Sequence, residues 1–277
     1  MRSLRGTSDR GYVRAPWGQV HYRHGGDPEA PTVLALHQSP LSSATYEAVI
    51  APLARRGVRT VALDTPGFGM SDPTPTQWTI PDYARGVWQV ADLLGLGEVY
   101  LLGQHTGAVI AAEAAFQQPD RVNGIVLQGL PLYSDEEREE KKRSYAPPYE
   151  PAEDGSHLRV IRDRIRRLYP RLGVAETDRQ LIEYLSAGPD YATAYRAVFD
   201  YRVDTERLNT FPVLLLHGSD DLVDRFTPEV TAALPNAELV TIPGGTDFVV
   251  DEQPEVFADE LARFVLRKAA MVSGGSR

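Results

Sequence analysis

The chain has 277 residues, 42% of them hydrophobic and 24% charged, a globular balance at a length that α/β folds reach with one core and an insertion. It contains no cysteine, which excludes disulfides, thiolate metal sites and a cysteine nucleophile. A formal net charge of −9 argues against a nucleic-acid partner, and no apolar run reaches the roughly 18–20 residues needed to cross a bilayer, so a cytoplasmic protein without a membrane partner is expected.

The opening stretch, "MRSLRGTSDRGYVRAPWG", has no apolar core of signal-peptide length. "QVHYRH" (19–24) alternates like a strand, and "TVLALH" (32–37) is the continuous apolar run of a buried parallel strand. "SATYEAVIAPLARRG" (43–57) has helical spacing and stops at glycine, and "VRTVALD" (58–64) is a strand leading into the loop "TPGFGMSDPTP". "IPDYARGVWQVADLLGLG" (80–97) has proline near its start and glycine at its end, as helices do. "EVYLLG" (98–103) is a strand, "TGAVIAAEAAFQQP" (106–119) a helix and "NGIVLQGL" (123–130) another strand.

After Tyr133 the alternation stops. Residues 134–156, "SDEEREEKKRSYAPPYEPAEDGS", are charged and then proline-rich, which predicts a flexible connection. Amphipathic stretches follow near 157–169, 176–187 and 190–207. The α/β pattern resumes with strands in 211–221 and 237–245 and a helix at 253–270, and the tail 273–277 is expected to fray. The prediction is an α/β fold: a mainly parallel twisted sheet with helices on both faces, a core at 1–133 and 211–277, and a helical cap at 134–210 of about 75 residues. Arg159, Arg162, Arg164, Arg166 and Arg167 are assigned to a solvated helix face, with attraction of an anionic substrate as the alternative.

Five motifs in this order and spacing resemble the α/β-hydrolase superfamily with a helical cap: "LHQSP" (36–40), "DTPGFGMSD" (64–72), "GQHTG" (103–107), "LHGSDD" (216–221) and "IPGGTDFVVDEQPE" (242–255). The resemblance implies a nucleophile at the apex of the strand–turn–helix elbow, an acid after a late strand and a histidine after the last strand. Those positions hold His105, Asp221 and Asp247. The acid matches, but the serine and the histidine of the family pattern are absent, which makes the chain an atypical member. The resemblance also implies that the backbone N–H groups of Gln38 and Thr106 are oxyanion donors.

A buried imidazole needs a partner, so His105 and Asp247 are expected to form a hydrogen-bonded pair, with Asp221 close to Asp247 and one of the two carboxylates retaining a proton. This group favours general acid–base chemistry: isomerisation, epimerisation, elimination or cyclisation of an apolar small molecule or small peptide. Two alternatives stand beside it. One is ester, lactone or amide hydrolysis with Ser39, His105 or water as the attacking group; the other is ligand binding without turnover. The same three residues could offer nitrogen and oxygen to a metal, but with no short ligand motif none is assigned. No cofactor is implied, because no glycine-rich dinucleotide signature is present. Oligomeric state is left open.

The remaining polar residues read as structural. His37 orients its loop or lines the pocket, and Ser39 caps backbone. His217 is satisfied by backbone, Asp64 braces the "TPGFG" loop, and Asp220 and Asp224 are solvated. Phe248 packs beside the site, and Tyr133, Tyr191, Tyr195 and Tyr201 either pack or line the underside of the cap.

Overall fold

The computed structural model describes residues 8–274. Eight strands form one sheet: β1 (Asp9–Ala15), β2 (Gly18–Gly25), β3 (Thr32–Leu36), β4 (Arg59–Leu63), β5 (Val99–Gln104), β6 (Val122–Gln128), β7 (Val213–Gly218) and β8 (Glu238–Ile242), in the order β1-β2-β4-β3-β5-β6-β7-β8. The β1–β2 and β2–β4 pairs are antiparallel, and every other pair is parallel. Strand β1 was not expected. It is an edge strand paired on one side only and half exposed, so it lacks the apolar run that marks the central strands.

The central strands read as unbroken apolar runs because both of their faces are covered. Leu34 and Leu36 of β3 pack with Tyr83, Val87 and Ala108, on the side of α2 (Ile80–Leu93) and α3 (Thr106–Gln117). Val33 and Ala35 face the opposite way, toward Val49 of α1 (Glu47–Arg55) and Phe257 of α11 (Pro254–Gly274). Of the expected frayed tail 273–277, Ser273 and Gly274 end α11, and 275–277 lie outside the described residues, as do the first seven residues of the expected core.

Between β6 and β7 lie five helices rather than three: α4 (Asp135–Ser144), α5 (Ser156–Leu168), α6 (Val174–Ser186), α7 (Thr193–Phe199) and α8 (Thr205–Leu208). The charged run expected to be flexible begins with α4. Ser134 and Glu137 close a reciprocal capping box there, with Asp135 and Glu136 also in the first turn and Lys141, Lys142 and Arg143 in the last, so the charges follow the helix dipole. Two further short helices, α9 (Thr227–Ala233) and α10 (Val249–Glu252), follow β7 and β8. His105, Asp221 and Asp247 all come just after the carboxyl ends of strands β5, β7 and β8, the edge of an open α/β sheet where ligand crevices form.

Candidate active site

The turn from β5 into α3 forces His105 into a left-handed conformation, φ 46° and ψ −104°, which costs free energy for a residue with a Cβ. The flanking glycines make it possible: a Cβ on Gly103 would strike the backbone of Gly107, and one on Gly107 would strike the Leu36 carbonyl. The His105 N–H is anchored to the Gln128 carbonyl at 3.1 Å. The strain therefore holds the imidazole out at the apex.

His105 Nε2–H donates to Asp221, 2.9 Å from Oδ1 and 3.1 Å from Oδ2. Asp247 Oδ1 lies 3.6 Å from the same nitrogen, beyond hydrogen-bond reach. The expected His105–Asp247 pair is thus corrected to His105–Asp221. The reason is reach. An imidazole at the elbow extends several bonds farther than a serine hydroxymethyl and spans the gap to the acid directly, while an aspartate is too short to fill a histidine's place. Backbone groups fix both carboxylates: Val223 N–H donates to Asp221 Oδ1 at 2.8 Å, and Leu222 N–H donates to Asp247 Oδ2 at 3.3 Å. Asp247 Oδ1 is buried and accepts no hydrogen bond.

Three buried ionisable groups share one small volume, and each alters the others. Burial pulls the His105 pKa down, but the charge and hydrogen bond of Asp221, with the charge of Asp247, outweigh it and raise it to about 8. Burial also raises Asp221, yet the imidazolium beside it and the Val223 N–H hold it below the usual carboxylate value. Asp247 has no such bond to His105; burial and the neighbouring Asp221 charge push it up to about 7. Burial first, and then the Asp221 charge, favour the protonated form of Asp247. The donor atoms of the three residues lie within 4.8 Å of one another, a spacing that a divalent ion would also accept, although the bond to Asp221 engages His105 Nε2.

The imidazole reaches a cavity of ≈ 40 Å³ whose wall includes Gln38, Ser39, Thr106, Tyr133, Tyr145 and Tyr195. His105 Nδ1 has no hydrogen-bond partner among the described residues. Since Nε2 carries the proton bound to Asp221, Nδ1 of the neutral ring is an acceptor. Gly129, at φ +70°, makes room for Val223 and for the ring: a Cβ there would strike Val223 Cγ2 and lie 2.7 Å from His105 Cδ2 and 2.9 Å from Nε2. The sequence reading missed Gly129; a glycine just beyond the strand "NGIVLQ" was the available signal.

Of the other expected site residues, Gln38 and Thr106 share the cavity wall with His105, whereas His37 and Phe248 lie off it. His37 is buried and its pKa is lowered by that burial; it donates Nδ1–H to the Gln38 carbonyl at 2.8 Å and accepts the Thr65 N–H on Nε2 at 3.0 Å, so it orients the loop. Phe248 packs edge-on against Tyr169, which borders the cavity. Ser39 Oγ is buried and bonded to nothing, neither to backbone as expected nor to His105. Asp64 does brace its loop, accepting Met70 N–H at 2.8 Å and Ser43 N–H at 2.7 Å. His217 meets side chains rather than backbone, with Thr241 Oγ1 3.3 Å from Nε2 and Asp224 Oδ1 3.3 Å from Nδ1. Asp220 is half-exposed and paired with Arg171. Tyr133 and Tyr195 border the cavity, while Tyr191 packs among α5 and α6 residues and Tyr201 donates to Glu113. Among the described residues, no helix is long and apolar enough to cross a membrane.

Residues 31–153 match a family model described as the alpha/beta hydrolase fold. Haloalkane dehalogenase 2 of Mycobacterium tuberculosis is 29% identical over 267 residues, covering 87% of this chain and 89% of that protein. The 2-(acetamidomethylene)succinate hydrolase of Mesorhizobium japonicum is 27% identical over 247 residues, covering 85% and 88%. A solved hydrolase from Pseudomonas aeruginosa superposes with a TM-score of 0.76 at 20% identity, covering 93% of this chain and 98% of that one. These relatives carry the names of hydrolytic enzymes. They overturn the expectation of isomerase, epimerase or lyase chemistry, which rested on reading the absent serine and histidine as loss of acyl-enzyme hydrolysis, and they favour the hydrolytic alternative. Family motifs, sheet order and elbow agree: the chain has the α/β-hydrolase fold.

Proposed function

We propose that the protein hydrolyses a carboxylic-acid derivative, an ester, lactone or amide, with water as the attacking group and His105 as its base. The observation that carries this reading is the 2.9 Å bond from His105 Nε2 to Asp221, which leaves Nδ1 as the free acceptor of an imidazole on the cavity wall. The water oxygen bonds to the carbonyl carbon as its proton passes to Nδ1. Asp221 holds the imidazolium in place, as the acid of a triad does. The N–H groups of Gln38 and Thr106 receive the developing oxyanion. The imidazolium then returns the proton to the leaving oxygen or nitrogen, the C–O or C–N bond breaks, and no acyl-enzyme forms.

Ser39 is not favoured as the nucleophile, since its hydroxyl has no base beside it. In this reading the helices of 134–210 act as a cap over a small-molecule substrate, because Tyr145, Tyr169 and Tyr195 from that segment border the cavity. The cavity is too small for such a substrate as it stands, so entry requires the cap to move.

Turnover of an ester and lactone panel tests the proposal. A single turnover in H₂¹⁸O is expected to put one label in the acid, hydroxylamine to trap no acyl-enzyme, and His105→Ala to lower kcat by about 10²–10⁴. A serine-directed phosphonate that inactivates the protein stoichiometrically, with labelling lost in Ser39→Ala, would overturn it.

A further inference from the structure

Helix α5 does not turn all five of its arginines to solvent. Ile161, Arg164, Ile165 and Leu168 follow the i, i+3, i+4, i+7 spacing of one face, and that face packs inward: Ile161 and Ile165 are buried. Arg164 therefore enters an apolar stripe. Its Cζ lies 5.1 Å from the ring centre of Tyr145 and 5.9 Å from that of Tyr191. Its Nε and Nη2 are buried without a hydrogen-bond partner, and among the described residues no carboxylate pairs with it. Its neighbour Arg162, by contrast, lies 3.6 Å from Asp178. The rings compensate part of the cost of burial, but the N–H donors of two fork nitrogens remain unmet.

Arg164 stands one ring behind the cavity: Tyr145, Tyr169 and Tyr195 border it, and the guanidinium lies against the Tyr145 ring without itself reaching the wall. The tyrosine layer thus lies between the His105 group on the core side, whose charge Asp221 balances, and a guanidinium without a carboxylate partner on the cap side. A negatively charged group that reaches this layer is attracted to the guanidinium.

We propose that Arg164 receives a carboxylate carried by the substrate, so that the acid group docks against the cap while the scissile carbonyl lies over His105. The substrate is then an anionic ester, lactone or amide. The guanidinium fork matches a carboxylate in shape and charge, and the docked anion supplies the partner that the buried N–H groups lack. This inference rests on the hydrolytic reading above and adds a substrate class to it.

The test uses p-nitrophenyl monoesters of four- to eight-carbon dicarboxylic acids, each against its methyl-capped neutral counterpart. At the best chain length the wild-type protein is expected to prefer the free acid by about 10- to 100-fold in kcat/KM, mainly through KM. Arg164→Gln is expected to bring that ratio to within about threefold of unity, and Arg164→Lys, which keeps the charge but not the fork, to an intermediate value. Arg159→Gln removes the same charge from the exposed side of α5 and should keep the ratio, which separates docking from long-range attraction. A second arm does not depend on turnover: glutarate or adipate should raise the Tm of the wild-type protein and not that of Arg164→Gln. Should Arg164→Gln not fold, Arg164→Lys carries both arms. Esters turned over with no preference for the acid at any length, or a preference surviving in both Arg164 variants, would overturn the anion site and leave the hydrolytic reading intact. Stabilisation by dicarboxylates through Arg164 with no ester turned over would keep the site and overturn the hydrolytic reading.

Discussion

Replacing Asp221 by asparagine separates two consequences of its bond to His105 that act in opposite directions. The wild-type imidazole is raised from 6.5 to about 8. At 1.36 kcal/mol per unit this is about 2 kcal/mol in favour of the imidazolium. At pH 7 only about a tenth of such a group is neutral and able to act as a base. The amide of Asp221→Asn would keep an oxygen to accept Nε2–H but lose the charge, and burial would then bring the imidazole to 6.5 or below. About three quarters or more of it would be neutral at pH 7. If supply of base were all that mattered, Asp221→Asn would be several-fold faster at pH 7. The proposed mechanism requires the opposite, because the imidazolium formed in the transition state loses its counter-charge. We expect kcat to fall by about 10²–10⁴, and the basic rise of the kcat profile to move down from about 8 by more than one pH unit. The assay is a kcat–pH profile from pH 5 to 10 on the best ester, with circular dichroism as the folding control. A variant as fast as wild type, with its rise still near 8, would refute the assignment of Asp221 as the partner.

The same geometry sets three further outcomes. Asp247→Asn removes a carboxyl group raised to about 7 by burial and by Asp221. Ionising that carboxyl opposes folding, so wild-type stability falls as pH rises from the ordinary carboxylate range through about 7; urea titrations should show the variant gaining on wild type above pH 7 and not at pH 4, and an equal gain at both would contradict this. Gly129→Ala places a methyl group against the His105 ring and a Cβ at φ +70°, so a loss of about 1–3 kcal/mol in urea, with a larger relative loss of kcat than of stability, is expected; a variant with normal kcat would show that the ring does not need this clearance. The double change His105→Ser with Asp247→His restores the family pattern around Asp221, and phosphonate labelling of the introduced serine, absent from either single variant, is the result that checks it.

Much of this fold is legible in the sequence, and for a physical reason. Central parallel strands are buried on both faces, so "TVLAL" and "VLLLHG" declare themselves as apolar runs, and the elbow declares itself through two glycines that nothing larger can replace. Edge strand β1 is hidden because the inward positions of its alternation, Gly11, Val13 and Ala15, are small or only half covered and give little apolar signal, and α4 is hidden because charge ordering and a capping box, not an apolar stripe, specify it. In the site, the positions were legible and the pairing was not. Chain order gives which residues sit at the strand ends, but side-chain reach decided that His105 meets Asp221. The missing serine and histidine weighed against hydrolysis through an acyl-enzyme, and the step from there to proton-transfer chemistry was an inference about reaction type that strand order and spacing do not support. Arg164 was concealed among five arginines, although its place in the 161/164/165/168 stripe already set it apart.

In the proposed reaction His105 donates a hydrogen bond from Nε2–H to Asp221 and keeps Nδ1 as the base. Nitrogen-15 NMR of the ring measures this directly. His105 is expected to titrate near pH 8, with a signal lost in His105→Ala, and its neutral ring at pH 9.5 to carry the proton on Nε2 with a bare Nδ1. A His105 signal that titrates below 6.5, or a neutral ring protonated on Nδ1, would contradict it.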